Sequence, residues 1–260
     1  MKKLIVNFPN INKQYLFEVN DADYKVGDNV LVENNQIIED GFVADYFEND
    51  AVLDLEDGVG SIIRCVNEDD KKKIIILGEK ALEYLIECRE YVEKYQLPMK
   101  LINAQLSFDE KKLTIFFGAE GRVDFRQLVT ELIKKYKKLI RLQQIGARDE
   151  AKIVGGFGKC GREFCCKKFL KKVDSVTLDM AKDQDMSTGI SKISGACGKL
   201  MCCLSYELEA YKNMKEKLPK VGEKIKTQKG IGKIVDVNVV ASSLVVQLDN
   251  GERIKEKYDL

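Results

Sequence analysis

The sequence predicts an α+β protein with a ferredoxin-like β-α-β-β-α-β core, a cysteine-rich repeat region and small SH3-like β-barrels at the termini. Three observations support this. Helix-spaced apolar residues alternate with strand-like runs in the middle, short strand-like runs separated by turns occupy both ends, and two copies of one cysteine pattern follow the middle. The predicted regions are a small β domain at 1–60, the ferredoxin-like domain at 61–150, the cysteine-rich region at 151–216 and an SH3-like domain at 217–260.

Both ends of the chain carry the pattern of small β domains. Near the N-terminus, the apolar runs at 15–19 and 29–32 are separated by polar turn residues. Near the C-terminus, apolar runs at 231–240 and 244–248 precede Asn250-Gly251, a dipeptide that favours two-residue hairpin turns. The segment at 221–225 repeats the pattern of 26–30, so we expect similar barrels at the two ends.

The middle of the chain reads as helices alternating with strands. The first helix is indicated by apolar residues at helical spacing before Pro98: Ala81, Leu85, Cys88, Val92 and Tyr95. Strand-like runs at 62–66, 102–108, 113–117 and 139–145, with a second helix after Asp124, complete the ferredoxin-like order. Cys65 lies in the first of these runs and Cys88 on the apolar helix face, so both are predicted to be core residues and not ligands.

Composition excludes several classes of function. The 260 residues contain 43 Lys and Arg against 42 Asp and Glu, and a net charge of +1 predicts no bulk attraction to nucleic acid or an anionic membrane. The chain has no histidine, which excludes Ser-His and Cys-His nucleophiles and any histidine-liganded metal site built from this chain. The apolar run near Met1 is too short for a signal peptide or a membrane span. We therefore expect a cytoplasmic protein with reduced thiols.

Six of the eight cysteines form two copies of one pattern, C-G-R/K-x-x-C-C, offset by 37 residues. The six are Cys160, Cys165, Cys166, Cys197, Cys202 and Cys203. A glycine after the first cysteine lets backbone amides approach the sulfurs, and the basic residue that follows offsets the charge of thiolates. A four-residue gap between cysteines occurs in iron–sulfur sites, whereas zinc knuckles prefer shorter gaps. The pattern predicts a metal site, with an iron–sulfur cluster favoured over zinc.

The adjacent cysteine pairs constrain how the thiols can be used. Neighbouring side chains diverge by about 100° on a helix and about 180° on a strand, so both members of a pair can hardly face one cluster. One arrangement takes two ligands from each repeat, which gives Cys160, Cys165, Cys197 and Cys202. The other gives each repeat its own cluster, with three ligands from this chain and one from a partner. Buried reduced thiols without a metal, or a dithiol redox centre, are the other interpretations of the six cysteines.

A basic run offers a different type of site. It consists of Lys134, Lys135, Lys137, Lys138 and Arg141. Such a run is usually a solvated helix face, and a patch for RNA phosphates is the alternative. The charged segment that follows, at 146–152, is predicted to be a connecting loop.

Beyond these patterns, residues 99–207 closely resemble a known family. The matching stretches are FFGAEGRVDFR at 116–126, QIGARDEAK at 144–152, CGR at 160–162, MAKDQ at 180–184 and KISGACGKLMCC at 192–203. In this order they resemble the RicT (YaaT) family, bacterial proteins with a carboxy-terminal domain named after a yeast polymerase suppressor. Glu163-Phe164 departs from the family's usual Pro-Leu, at a position between the cysteines.

The resemblance implies a non-enzymatic subunit. Members of that family form a ternary complex with two small helical proteins, RicA (YmcA) and RicF (YlbF). The complex holds [4Fe–4S] clusters with cysteines from more than one chain, and it directs mRNA processing by the membrane-anchored ribonuclease Y. In spore-formers it affects sporulation, competence and biofilm formation. Two other functions remain open from the residues themselves: a zinc-stabilised RNA-binding module and a thiol redox enzyme.

Overall fold

The computed structural model describes residues 3–8, 13–19, 23–47, 56–170, 173–187 and 189–258. Within these ranges the chain forms twelve β-strands and seven α-helices. The chain divides into two compact units, Met1–Gly155 and Gly156–Leu260. The mixed α+β class predicted from the sequence is confirmed.

A closed five-stranded barrel begins the first unit. Its strands are β1 (Lys3–Phe8), β2 (Lys13–Glu18), β3 (Asn29–Asn34), β4 (Ile37–Phe47) and β5 (Glu56–Cys65). Their order around the barrel is β1-β2-β5-β3-β4, and β2 pairs with β5 in parallel. Val6, Phe17, Val30, Val32 and Val43 are fully buried in the barrel core. The prediction of a small β-barrel at the N-terminal end is therefore confirmed. The SH3-like topology predicted for this barrel is not confirmed.

The predicted ferredoxin-like core is wrong in one strand. The sheet of the first unit contains β6 (Lys100–Leu106), β7 (Lys112–Gly118) and β8 (Leu139–Gln144), with β7 in the centre. The run at 62–66, predicted as the first strand of this sheet, belongs mostly to β5 and pairs with β3 in the barrel. Ile62 is buried beside Val30 and Val32 there, and this burial holds the strand in the barrel. Among the described residues the sheet therefore has three strands and not four.

Helices α1 (Glu68–Lys94) and α2 (Arg126–Tyr136) pack against this sheet. Asn67 and Asp70 form a reciprocal capping box that starts α1. The predicted apolar face of α1 is confirmed, and Cys88 lies in it with no exposed surface. The prediction that Cys65 is a core residue is wrong, because Cys65 is the last residue of β5 and is exposed.

The segment predicted as a charged loop forms helix α3 (Ala147–Val154). Gly146 precedes the helix in an extended conformation, and Gly155 ends it with φ of +79°. Glu150 on α3 accepts a hydrogen bond from Lys100 of β6 at 3.0 Å, which ties the helix to the sheet. The loop prediction failed because the alternating charges of this segment suit a short exposed helix equally well.

The second unit starts with short helices and ends with a sheet. The helices are α4 (Cys165–Lys168), α5 (Leu178–Asp183), α6 (Ile190–Ile193) and α7 (Cys202–Lys217). Ala181, Ile193 and Leu204 form a small buried core between them. The strands are β9 (Lys224–Thr227), β10 (Gly230–Asn238), β11 (Ser243–Leu248) and β12 (Arg253–Lys257).

The C-terminal sheet is an antiparallel meander in the order β12-β11-β10-β9. The predicted hairpin at Asn250-Gly251 is confirmed, but its loop has three residues and not two. Leu248 N–H donates to Glu252 O at 2.9 Å, and Gly251 in the loop has φ of +84°. Ile234, Leu244 and Val246 are buried on one face. The predicted SH3-like barrel is therefore present only as a four-stranded sheet within the described residues.

Candidate metal centre

The two cysteine repeats fold into the same hairpin-and-helix unit. In the first, Gly158 N–H donates to Arg162 O at 2.8 Å and Gly161 N–H donates to Gly158 O at 2.9 Å. In the second, Gly195 N–H donates to Lys199 O at 2.8 Å and Gly198 N–H donates to Gly195 O at 3.0 Å. Each bond in the first copy has a counterpart in the second copy, and the residues of the counterpart are numbered 37 higher. The sequence repeat is therefore also a repeat of backbone structure.

The hairpin requires the glycine that follows the first cysteine. Gly161 has φ of +74° and Gly198 has φ of +76°, both in the left-handed region. A tight turn followed by a left-handed residue is the usual three-residue hairpin loop, and glycine adopts that conformation without steric cost. The expected role of these glycines, to let backbone amides approach the sulfurs, is not what the backbone shows. The structure shows that they set the shape of the turn.

Beyond each hairpin, the second cysteine starts a helix. Phe164 (φ −52°, ψ 125°) and Met201 (φ −63°, ψ 132°) precede α4 and α7 in nearly the same conformation. Their N–H groups donate to Gly156 O at 3.0 Å and to Ile193 O at 2.9 Å, again at equivalent positions. These bonds hold the start of each helix against the strand that enters the hairpin.

The six thiols differ in exposure. Cys160 is exposed in its turn, and Cys197 is partly exposed in the equivalent turn. Cys165 and Cys202 open their helices and are partly exposed. Cys166 is buried, although its neighbour Cys165 is not, which confirms the expected divergence of adjacent side chains. All eight cysteines lie in the described residues, and none forms a disulfide.

Two glycines leave room for the first thiol of each repeat. A Cβ atom added to Gly158 would lie 3.4 Å from Cys160 Sγ, and one added to Gly195 would lie 3.8 Å from Cys197 Sγ. Both thiols thus turn back over their hairpins. Both distances are ordinary van der Waals contacts, so each sulfur lies directly beside its glycine.

The second repeat contributes a thiol that faces the first. Helices α4 and α7 are in contact. The pKa of the Cys203 thiol is raised, mainly by burial, then by the charges of Glu207, Cys165 and, to a smaller degree, Cys160. Cys203 therefore lies close enough to Cys160 and Cys165, two of the three first-repeat cysteines, for their charges to interact. Lys159 also donates a hydrogen bond to Ser191 O, which joins the first hairpin to the segment before the second.

The donor chemistry of these residues fits an iron–sulfur cluster, and their geometry fits one only in part. Thiolates are the ligands that such clusters require, and the two hairpins present thiols beside glycines. Within the described part of the chain, no three cysteine or carboxylate side chains converge as a metal ion would need. The four-ligand set of Cys160, Cys165, Cys197 and Cys202 remains a prediction.

The basic run at 134–141 is partly neutralised. Lys135 forms an ion pair with Glu87 at 2.7 Å. Lys138 donates to Glu110 O at 2.7 Å, and its ammonium lies 3.7 Å from the Glu110 carboxylate. These contacts weaken the run as a surface for RNA phosphates. In the described residues no helix is both long enough and apolar enough to span a membrane.

Comparison with known proteins agrees with the resemblance seen in the sequence. Residues 60–145 match the family described as PSP1 C-terminal conserved region, and residues 175–218 match the one described as PSP1-like protein, third domain. The stage 0 sporulation protein YaaT of Bacillus subtilis is 40% identical over 255 residues, which cover 96% of this chain and 91% of that protein.

Two yeast relatives share a smaller segment. An uncharacterised protein of Schizosaccharomyces pombe is 33% identical over 79 residues, which cover 30% of this chain and 10% of that protein. Protein PSP1 of Saccharomyces cerevisiae is 49% identical over 49 residues, or 19% of this chain and 6% of that protein. No solved structure matches the chain.

Proposed function

The chain belongs to the family of the stage 0 sporulation protein YaaT, and from this premise we propose that it is a non-enzymatic, iron–sulfur-binding subunit of a regulatory complex. In this proposal the complex modulates ribonuclease Y-dependent mRNA processing in the cytoplasm. In a spore-forming host, sporulation, competence and biofilm formation are the processes that it regulates. The family resemblance supports this assignment, and the cysteine repeats supply its chemistry.

The observation that carries the proposal is the duplicated hairpin-and-helix unit. Each copy places one thiol in a glycine-shaped turn and two at the start of a helix. A cysteine-liganded [4Fe–4S] cluster takes four thiolates. Either each repeat supplies two of them, which gives Cys160, Cys165, Cys197 and Cys202, or each repeat supplies three to a cluster of its own and a second protein supplies the fourth.

The partners in this proposal are two small helical proteins of the RicA (YmcA) and RicF (YlbF) type. The thiol in the first turn, Cys160, is exposed and available to an interface. A ligand shared between chains would make cluster retention depend on assembly, because metal binding and folding of the ligand region are linked. The role of this chain is then to hold thiolates in position and to present a surface to its partners.

The two rival functions find less support. A thiol redox enzyme is less supported, because the chain has no C-x-x-C motif and no histidine to tune a thiol. A zinc-stabilised module would use the same cysteines, since zinc also accepts four thiolates. The identity of the bound metal separates this module from the iron–sulfur subunit.

The test is the metal content of the protein purified without oxygen, both alone and together with its two partners. We expect iron and sulfide in equal amounts in the assembled complex. Replacement of Cys160, Cys165, Cys197 or Cys202 by serine should reduce iron retention to background and weaken complex formation. Cys65→Ser and Cys88→Ala are the matched controls and should keep full iron content.

Other outcomes would select a rival. Zinc without sulfide would establish the zinc-stabilised module. Absence of both metals, with reversible thiol oxidation, would establish the redox enzyme. Full iron content in all four serine variants would show that the ligand set is wrong.

A further inference from the structure

One face of the C-terminal sheet carries a concentrated positive charge. Residues on a strand alternate between faces, and Ile225, Ile234, Leu244, Val246 and Ile254 point to the buried side. The opposite face carries six cations, and all six are exposed. These are Lys224 and Lys226 on β9, Lys233 on β10, and Arg253, Lys255 and Lys257 on β12.

The pairing register places three of these cations in one row. Lys224 pairs with Lys233, Lys233 pairs with Gln247, and Gln247 pairs with Arg253. The row crosses all four strands, about 14 Å at the usual strand spacing of about 4.8 Å. A second group lies along β12, where Lys255 pairs with Val245 and Lys257 pairs with Ser243. The cations therefore cover the whole width of the sheet.

Little negative charge balances this face. Asp236 is the acidic strand residue on it, opposite Val245, and it lines a pocket together with Asp185 at the end of the face away from the row of Lys224, Lys233 and Arg253. Glu252 lies in the last turn and forms an ion pair with Lys229 at 2.8 Å. Glu256 pairs with Leu244 and therefore lies on the buried face of β12. Within the described residues none of the six cations forms an ion pair, in contrast to Lys135 and Lys138 of the first unit. A chain with a net charge of +1 thus has one surface with a strong local field.

We propose that this face, formed by the outward residues of β9, β10, β11 and β12, binds the phosphate backbone of single-stranded RNA. Six unpaired cations in rows can release counterions from a polyanion, which is the main source of sequence-independent affinity. Gln247 and Asn238 lie between the cations and can hydrogen-bond to phosphate or ribose oxygens. No aromatic residue lies on this face of the strands, so base stacking does not contribute and sequence preference is weak.

The choice of RNA among polyanions rests on the proposed function. The composition of the face also argues against a membrane surface. Surface-bound segments insert an apolar face below the headgroups, and Ile231 is the large apolar side chain that stands exposed on these strands. The remaining outward residues are charged, polar or partly covered. An RNA strand that crosses the sheet matches this composition better.

The experiment measures binding of the full-length protein, purified without oxygen, to a fluorescein-labelled 20-nucleotide single-stranded RNA. Fluorescence anisotropy at several salt concentrations gives both the affinity and its salt dependence. The test variant is Lys224→Gln/Lys233→Gln/Arg253→Gln, which removes the row. The control is Lys134→Gln/Lys137→Gln/Arg141→Gln, which removes the same charge from the basic run of the first unit. A second test variant, Lys226→Gln/Lys255→Gln/Lys257→Gln, covers the case in which the first fails to fold.

We expect either test variant to lose affinity roughly 100-fold at 0.1 M salt, and the salt slope to fall by about 2, because each lost contact to a single strand contributes about 0.7. The control should change affinity less than about 3-fold. An absence of RNA binding by the natural protein, or equal losses in test and control variants, would overturn the proposal. So would binding to vesicles containing phosphatidylserine in preference to RNA. Iron content and partner binding, measured on the same samples, test the proposed function separately.

Discussion

Phe169 and Tyr206 occupy equivalent positions in the two cysteine repeats and pack against each other. Their ring centroids are 5.1 Å apart, and their planes meet at 69° in an edge-to-face arrangement. The two residues are 37 positions apart, the same offset as the cysteines. The two rings meet where α4 and α7 are in contact, so the pair joins the two repeats, and both rings stay about half exposed, Phe169 at 49% and Tyr206 at 61%.

The first prediction tests this junction by a double-mutant cycle. Phe169→Ala and Tyr206→Ala should each destabilise the protein, and the coupling between them should be about 0.5–1 kcal/mol, because such aromatic pairs contribute this much beyond buried area. Urea unfolding of the four proteins provides the measurement. The control cycle pairs Tyr206→Ala with Phe157→Ala, which removes an exposed ring outside the pair. A coupling below about 0.3 kcal/mol in the test cycle would mean that the junction lies elsewhere.

The second prediction concerns the hairpin turns. Gly161→Ala and Gly198→Ala should each cost about 1 kcal/mol, because both glycines hold left-handed backbone that a Cβ atom disfavours. Space is not the cause, since an added Cβ meets nothing within 4 Å at either position. Gly121→Ala is the matched control, because its surroundings are equally open and its φ is not positive. Urea unfolding should show little change in that control. Equal losses in all three variants would contradict the role of the turn.

The cysteine repeats were well encoded in the sequence. The register of the two copies, the divergence of adjacent thiols and the importance of Gly161 and Gly198 all follow from local spacing and backbone chemistry. The position of Cys203 beside the first repeat could not be predicted in this way. Its proximity to Cys160 and Cys165 depends on the contact between α4 and α7, which are far apart along the chain. The equivalence of Phe169 and Tyr206 was the signal that could have indicated this contact.

The sheets show where local patterns were insufficient. The run at 62–66 has the alternation of a strand, and nothing in it specifies whether its partner is β3 or the sheet of β6, β7 and β8. Strand pairing is decided by long-range burial, here the packing of Ile62 with Val30 and Val32. The same limit applies to the basic face at the C-terminus. Its cations are scattered through the sequence, and only the pairing of β9, β10 and β12 brings them together.

The third prediction separates the two remaining cysteines. Cys88→Ala should cost about 1 kcal/mol, because it removes a fully buried atom from a packed core. Cys65→Ala should change stability by less than about 0.5 kcal/mol, since Cys65 is exposed at the end of a strand. Thermal unfolding of both variants provides the measurement. A larger loss from Cys65→Ala would contradict the placement of that residue.

Chemical labelling gives an independent check on Cys88. Burial is the main reason that the pKa of its thiol is raised to about 11, so very little thiolate is present at neutral pH. We expect iodoacetamide at pH 8 to modify Cys88 only after the protein is unfolded. Rapid labelling in the folded protein, located by mass spectrometry, would show that this part of the core opens.

The last prediction concerns the pH dependence of the barrel–helix junction. Asp70 accepts hydrogen bonds from the Arg64 guanidinium and from Asn67 N–H, the second at 2.9 Å. The Arg64 hydrogen bond, followed by that of Asn67, lowers the pKa of the Asp70 carboxyl from 3.8 to about 2. A carboxyl with a lowered folded-state pKa stabilises the protein above its unfolded pKa, and this stability is lost as pH falls towards the folded value.

Asp70→Asn should therefore lower the melting temperature most at pH 5–7, and the difference from the natural protein should shrink as pH falls from about 4 to about 2. Asn67→Ala, which removes the other half of the capping box, should cost about 1 kcal/mol. Glu68→Gln is the control, because Glu68 pairs with Lys71 on the surface with its side chain 82% exposed, and it should have little effect at any pH. Melting curves measured by circular dichroism between pH 7 and pH 2 decide the matter. A difference between Asp70→Asn and the natural protein that stays constant over this range would show that the Asp70 charge does not stabilise the start of α1.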